Sequence, residues 1–225
     1  MQSTVIERKP LHEEVADRLR LMVTEGALAA GCKLNERVLS EQLQVSRTPL
    51  REAIKMLASE KLVDLLPNRG AVVAALNPDT VRHLFELMSS LEGLSGELAA
   101  QRCNEATFNE IKALHFEMLA AHARSDLPLY YRCNKAIHEA INRAAGNPVL
   151  AQTYDAINLR IQALRFRSNF NRDKWDKAMV EHQQMMDALS AKDGSTLRRL
   201  LEQHLRNKRD AVMDLMLADA ALKAA

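Results

Sequence analysis

The sequence predicts a mainly α protein in two parts: a winged helix-turn-helix over residues 1–76 and an all-α helical bundle over residues 77–225. Three observations predict it. Residues 34–75 read as helix, tight turn, helix and short β-hairpin. From Asn77 onward, Ala- and Leu-rich segments keep helical spacing. The breakers in that second part gather at a few corners, Gly146-Asn147-Pro148 and Asp193-Gly194-Ser195, where one helix ends and the next is capped. A chain of 225 residues is long enough for one domain of about 70 residues and a second of about 150.

Taken in order, the first helix spans about Leu11 to Glu25, because Leu11, Val15, Leu19, Met22 and Val23 form one apolar stripe and Gly26 can stop it. The next helix opens at Asn35, whose side-chain oxygen can accept from an orphan amide. Leu34 and Leu39 flank that cap as a hydrophobic staple. It ends near Leu43, and Gln44-Val45-Ser46 forms the turn. The following helix buries Leu50, Ile54 and Leu57, with either Ser46 or Thr48 as its cap and Pro49 tolerated in its first turn. Leu62–Leu66 and Ala71–Ala74 then pair as strands around Pro67-Asn68-Arg69-Gly70, with Arg69 at the tip. Asn77-Pro78 is a helix start and marks the domain boundary. Beyond it, helices are expected near 78–101, 105–123, 127–145, 148–168, 172–192 and 195–218, and the Ala-rich end is expected to fray.

The helix after the turn leaves Arg47, Thr48, Arg51 and Lys55 on its free face, nearest the N-terminus where backbone amides and the dipole favour phosphate. Such a face can enter the major groove of DNA, with Arg47 and Arg51 as candidates for base edges and Ser or Thr for phosphate. Overall charge adds little: residues 1–76 hold 11 Lys+Arg and 10 Asp+Glu, and the rest hold 20 and 19. The case for DNA therefore rests on local placement of arginines. Cys32, Cys103 and Cys133 follow no metal spacing and fit a reducing cytoplasm. No apolar signal core or membrane-length run is present, which implies a cytoplasmic protein.

In the bundle, His83, His115, His122, His138, His182 and His204 lie among helical patterns, several on buried stripes. His138 follows Asn134 by four residues on one face. Histidines facing inward from separate helices could hold a metal or could serve as hydrogen-bonded core residues. A metal-dependent hydrolase is the rival reading. A zincin needs H-E-x-x-H, however, and here the segment is HEAIN, with Asn142 in place of the second His. No G-x-S-x-G, Walker loop or dinucleotide fingerprint is present, so an enzyme is not expected. A non-catalytic helical interaction protein would leave the arginine-bearing helix unexplained.

The segment ERVLSEQLQVSRTPLREAIKMLASEKLV, followed by a Gly-containing wing, resembles the DNA-binding domain of the GntR superfamily of bacterial transcription regulators. The resemblance implies operator contacts by Arg37, Ser46, Arg47, Thr48, Arg51, Arg69 and Gly70. NKAIHEAINRAAGNPVL, VEHQQMMDAL and LLEQHL are similar to the ligand-bearing segments of the FCD domain, the effector-binding and dimerisation domain of the FadR subfamily. Carried over, Asn134, His138, His182 and His204 take the places of metal ligands, for a divalent ion such as zinc or nickel. Two departures stand out: Asn134 replaces the family's common Asp, and Met88 stands where many relatives place an arginine that contacts effector. Arg160 and Arg165 are then the candidates to pair with a small organic acid. The resemblance implies a homodimer that binds a pseudo-palindromic double-stranded DNA operator and usually represses a metabolic operon.

Overall fold

In the computed structural model, residues 9–167 and 172–224 are described, except for the side chains of residues 163, 166, 167, 172–174 and 219–224. The chain divides into two compact units between Leu76 and Asn77. In the first unit the described elements are α1 (Leu11–Thr24), β1 (Lys33–Leu34), α2 (Glu36–Leu43), α3 (Arg47–Ser59), β2 (Val63–Leu66) and β3 (Gly70–Val73). The second contains α4 (Pro78–Arg102), α5 (Glu105–Ala123), α6 (Leu127–Ala144), α7 (Pro148–Arg167), α8 (Arg172–Ser190) and α9 (Gly194–Ala224).

The first unit closes around α1 and α3. Val15, Ala16, Leu19 and Met22 of α1 are buried, as are Leu50, Ala53, Ile54 and Leu57 of α3, so the apolar stripes of both helices meet in one core. Asn35 caps α2 by accepting from the Arg37 and Val38 amides, and Leu34 and Leu39 are both buried beside it. Gln44 ends α2 in the left-handed region at φ 53°, which turns the chain sharply enough for α3 to begin three residues later. Ser46 is the N-cap of α3 by backbone conformation, although its side chain makes no capping bond.

The hairpin has a third strand that the sequence did not announce. Lys33 pairs with Val72 and Leu34 with Ala71, giving the antiparallel order β1-β3-β2. Two residues are too short to show strand alternation. Leu34 thus serves both as the staple and as the buried residue of this strand.

The second unit is built on α4, which packs against α6, α7, α8 and α9. Small residues let α9 come close: a Cβ added at Gly96 would lie 2.3 Å from Leu201 Cδ1 and 2.9 Å from Leu197 Cγ. Asn77, Asn104 and Asp126 cap α4, α5 and α6, and Asp193 accepts from the Thr196 amide at the start of α9. The expected end of α7 at residue 168 lies outside the described residues. The Ala-rich end, expected to fray, continues α9 as helix to Ala224.

Candidate functional site

Each unit carries one candidate site. In the first, Ser46, the N-cap of α3, and Arg47, Thr48 and Arg51 on that helix are exposed, with Arg37 exposed on α2, Arg69 in the wing turn and Gly70 opening β3. Lys33, Arg37, Arg47, Arg69 and Gly70 line a common groove together with Leu34, Asn35 and Glu36. Sequence reasoning missed Lys33, because nothing local marks β1. Two arginines of this face are tethered: Arg51 Nε donates to Glu36 Oε2 at 2.8 Å, and Arg37 donates to Glu41 Oε1 at 2.9 Å. The result is a cationic concavity between wing and helix, suited to a polyanion backbone.

The second site lies inside the bundle. His138 of α6, His182 of α8 and His204 of α9 are all buried, and each offers a nitrogen within 4.8 Å of the others'. Ring centroids are 5.1 to 5.3 Å apart. Burial, then the neighbouring histidines, holds the His182 pKa well below the usual imidazole value. Burial also lowers that of His204, against the opposing pull of Glu181. These imidazoles therefore favour the neutral form, which has a lone pair to give. His138 Nδ1 and Nε2 and His182 Nε2 are buried without hydrogen-bond partners. Three converging imidazoles, two of them with orphaned nitrogens, fit a divalent transition metal, which would satisfy those nitrogens together.

The other histidines do not join this group. His115 Nε2 lies 3.1 Å from Gln183 Oε1, His122 Nε2 lies 2.6 Å from Asp176 Oδ1, and His83 is exposed. Asn134 is buried one turn before His138 on α6.

Two carboxylates flank the triad. Glu92 of α4, 2% exposed, places Oε2 2.8 Å from His138 Nδ1, and Glu181 Oε2 lies 2.5 Å from His204 Nδ1. Sequence reasoning missed both. Glu92 had a visible signal, an acid in register with the buried Phe85, Met88, Ser89 and Ser95 of α4. Its other oxygen, Oε1, lies 3.4 Å from Arg165 Nη1, which also donates to Asn158 Oδ1 at 3.0 Å. Burial would raise the Glu92 pKa, but His138 and Arg165 outweigh it and hold the carboxyl below its ordinary value. Arg165 is thus a buried, paired guanidinium. Arg160 is half-buried, and its Nε has no hydrogen-bond partner. Met88 is fully buried.

A winged helix with an arginine-bearing second helix, followed by a helical bundle that encloses a histidine cluster, defines a two-part class: a DNA-binding module joined to a helical module. Residues 11–73 match the family model of bacterial regulatory proteins, gntR family, and residues 83–207 match that of the FCD domain. The chain belongs to the GntR family of DNA-binding transcription regulators with a C-terminal FCD domain, a family of regulators and not of enzymes. It is similar to the Glc operon transcriptional activator of Escherichia coli K12, with 31% identity over 67% of each chain. It is also similar to the gluconate operon transcriptional repressor of Bacillus subtilis 168, with 24% identity over 92% of this chain and 87% of that one. Among solved structures, E. coli McbR/YncC shares the fold at TM-score 0.78 and 21% identity, covering 97% of this chain and 100% of that one. Among the described residues no helix is long and apolar enough to cross a membrane.

Proposed function

We propose that this regulator is a homodimeric repressor of a metabolic operon, released from or recruited to a pseudo-palindromic operator by a small organic acid that binds beside a zinc- or nickel-containing centre. The observation that carries the reading is the convergence of His138, His182 and His204 in one buried cluster, with a buried arginine linked to it through Glu92. Relatives named for the gluconate and Glc operons support a metabolic role. Repression is taken from the usual behaviour of the family.

His138, His182 and His204, with Asn134 as the fourth donor, would hold the metal. When bound, it would supply a Lewis-acidic position for an anionic oxygen. Arg165 would pair with the acid's charge in exchange for part of its contact with Glu92, and Arg160 offers an Nε without a partner. Binding in this unit would shift the population of bundle conformations and, through the dimer, the spacing of the two DNA-reading helices. On the DNA, Arg47 and Arg51 would read base edges, and Arg37, Ser46, Thr48, Arg69 and Gly70 would contact the backbone or the groove.

Selection of bound sequences from random DNA at a fixed salt concentration tests the operator half. Enrichment of a short inverted repeat is expected, and enrichment of nothing or of an asymmetric site would overturn the dimeric reading. Operator binding with zinc present is then titrated with mono-, di- and hydroxycarboxylic acids. A shift with at least one of them is expected; indifference to all would sink the effector assignment.

A further inference from the structure

We propose that Glu92 is the positioning residue of the histidine centre: it fixes His138 as the Nδ1–H form, reserving Nε2 for a divalent metal, and supplies through the imidazole the carboxylate charge that Asn134 cannot. The inference rests on the metal reading given above. Its ground is the geometry around one buried carboxylate. Glu92 Oε2 lies 2.8 Å from His138 Nδ1, has no hydrogen-bond partner, and belongs to a side chain only 3% exposed. A buried carboxylate is costly unless its oxygens are met by donors. An ionised carboxylate only accepts, so the nitrogen that faces it must carry the proton, and the lone pair then falls on Nε2. The two atoms are within reach but not aligned as a hydrogen bond, and the torsion that orients the ring, χ2, is a soft one.

The pattern recurs at a second imidazole. Glu181 Oε2 lies 2.5 Å from His204 Nδ1 and is itself held by Asn207. Two of the three converging rings thus turn Nδ1 toward a carboxylate, the arrangement that orients metal-ligating histidines and raises their basicity. Glu92 differs from Glu181 in what lies behind it. Its second oxygen faces Arg165, so one carboxylate joins the metal centre to the proposed acid-binding arginine.

The test is zinc affinity of the full-length protein, read by competition with a chromophoric chelator. Glu92→Gln is expected to weaken zinc binding about 10–100-fold, the usual effect of losing such a partner. Parent-like affinity would overturn the proposal. Because this change also removes a charge that faces buried Arg165, the pair Glu92→Gln/Arg165→Met is measured beside it, and a folded double variant with parent-like affinity would overturn the proposal equally. A readout on the unaltered chain stands apart from any folding defect: in ¹⁵N-histidine-labelled protein, His138 is expected as the Nδ1–H form with zinc bound. Observation of Nε2–H would refute the assignment. Failure of the parent itself to bind zinc would instead remove the metal reading and the inference with it.

Discussion

Among the described residues Arg47 has no ion-pair partner, whereas Arg37 and Arg51 are tethered to Glu41 and Glu36. Exposed pairs of this kind contribute about 0–1 kcal/mol, so docking of this face on DNA would break them at small cost. Arg47 needs no such exchange and stands at the first position of α3. Arg47→Ala should weaken operator binding by about 1–3 kcal/mol and relax sequence preference, as for a lost bidentate base contact. Competition titration against operator and scrambled DNA checks this; an equal loss on both would reassign Arg47 to phosphate. Sequence reasoning reached Arg47 because helical spacing alone separates the free face of α3 from its buried one. Glu92 escaped it because an acid on an apolar stripe acquires meaning only from the nitrogen placed opposite.

Among elements, α4 does most to position the bundle, and its contact with α9 depends on Gly96. Leu197 and Leu201 are themselves fully buried, so neither can swing aside for a methyl group placed within 2.9 Å. Gly96→Ala should therefore destabilise the bundle by roughly 1–3 kcal/mol through overpacking, despite the better helix propensity of Ala. Thermal unfolding decides it, and an unchanged or raised Tm would show that the two helices can part without loss. Most elements were legible because their ends carry local chemistry: Asn35 and Asn77 are caps both in the sequence and in the fold. Strand β1 was not. Its two residues are ordered by pairing with Val72 and Ala71 of β3, far along the chain, and no local pattern can announce that.

For the whole molecule, a metal that binds the folded bundle and not the unfolded chain must add stability. At a free zinc concentration a hundredfold above its Kd the gain is about 2.7 kcal/mol. For a unit of this size that corresponds to a rise in Tm of roughly 5–10 °C. Calorimetry with zinc and with excess chelator is the check, and coincident transitions would argue that the orphaned nitrogens of His138 and His182 hold no ion. The sequence by itself determined the two-part architecture, the caps and corners, the free arginine face and the histidines worth asking about. All of these follow from periodicity and from the conformational preferences of single residues. Periodicity could not decide which histidines meet; the family resemblance implied His138, His182 and His204, and only tertiary structure brings them together. His115 and His122 carry apolar neighbours much like those of His182, yet they pair with Gln183 and Asp176 while His138, His182 and His204 converge. It also decided that Arg165 is buried against Glu92. The reason is physical: helical spacing fixes the face on which a side chain lies, but the packing of α4, α6, α7, α8 and α9 fixes what stands across from it.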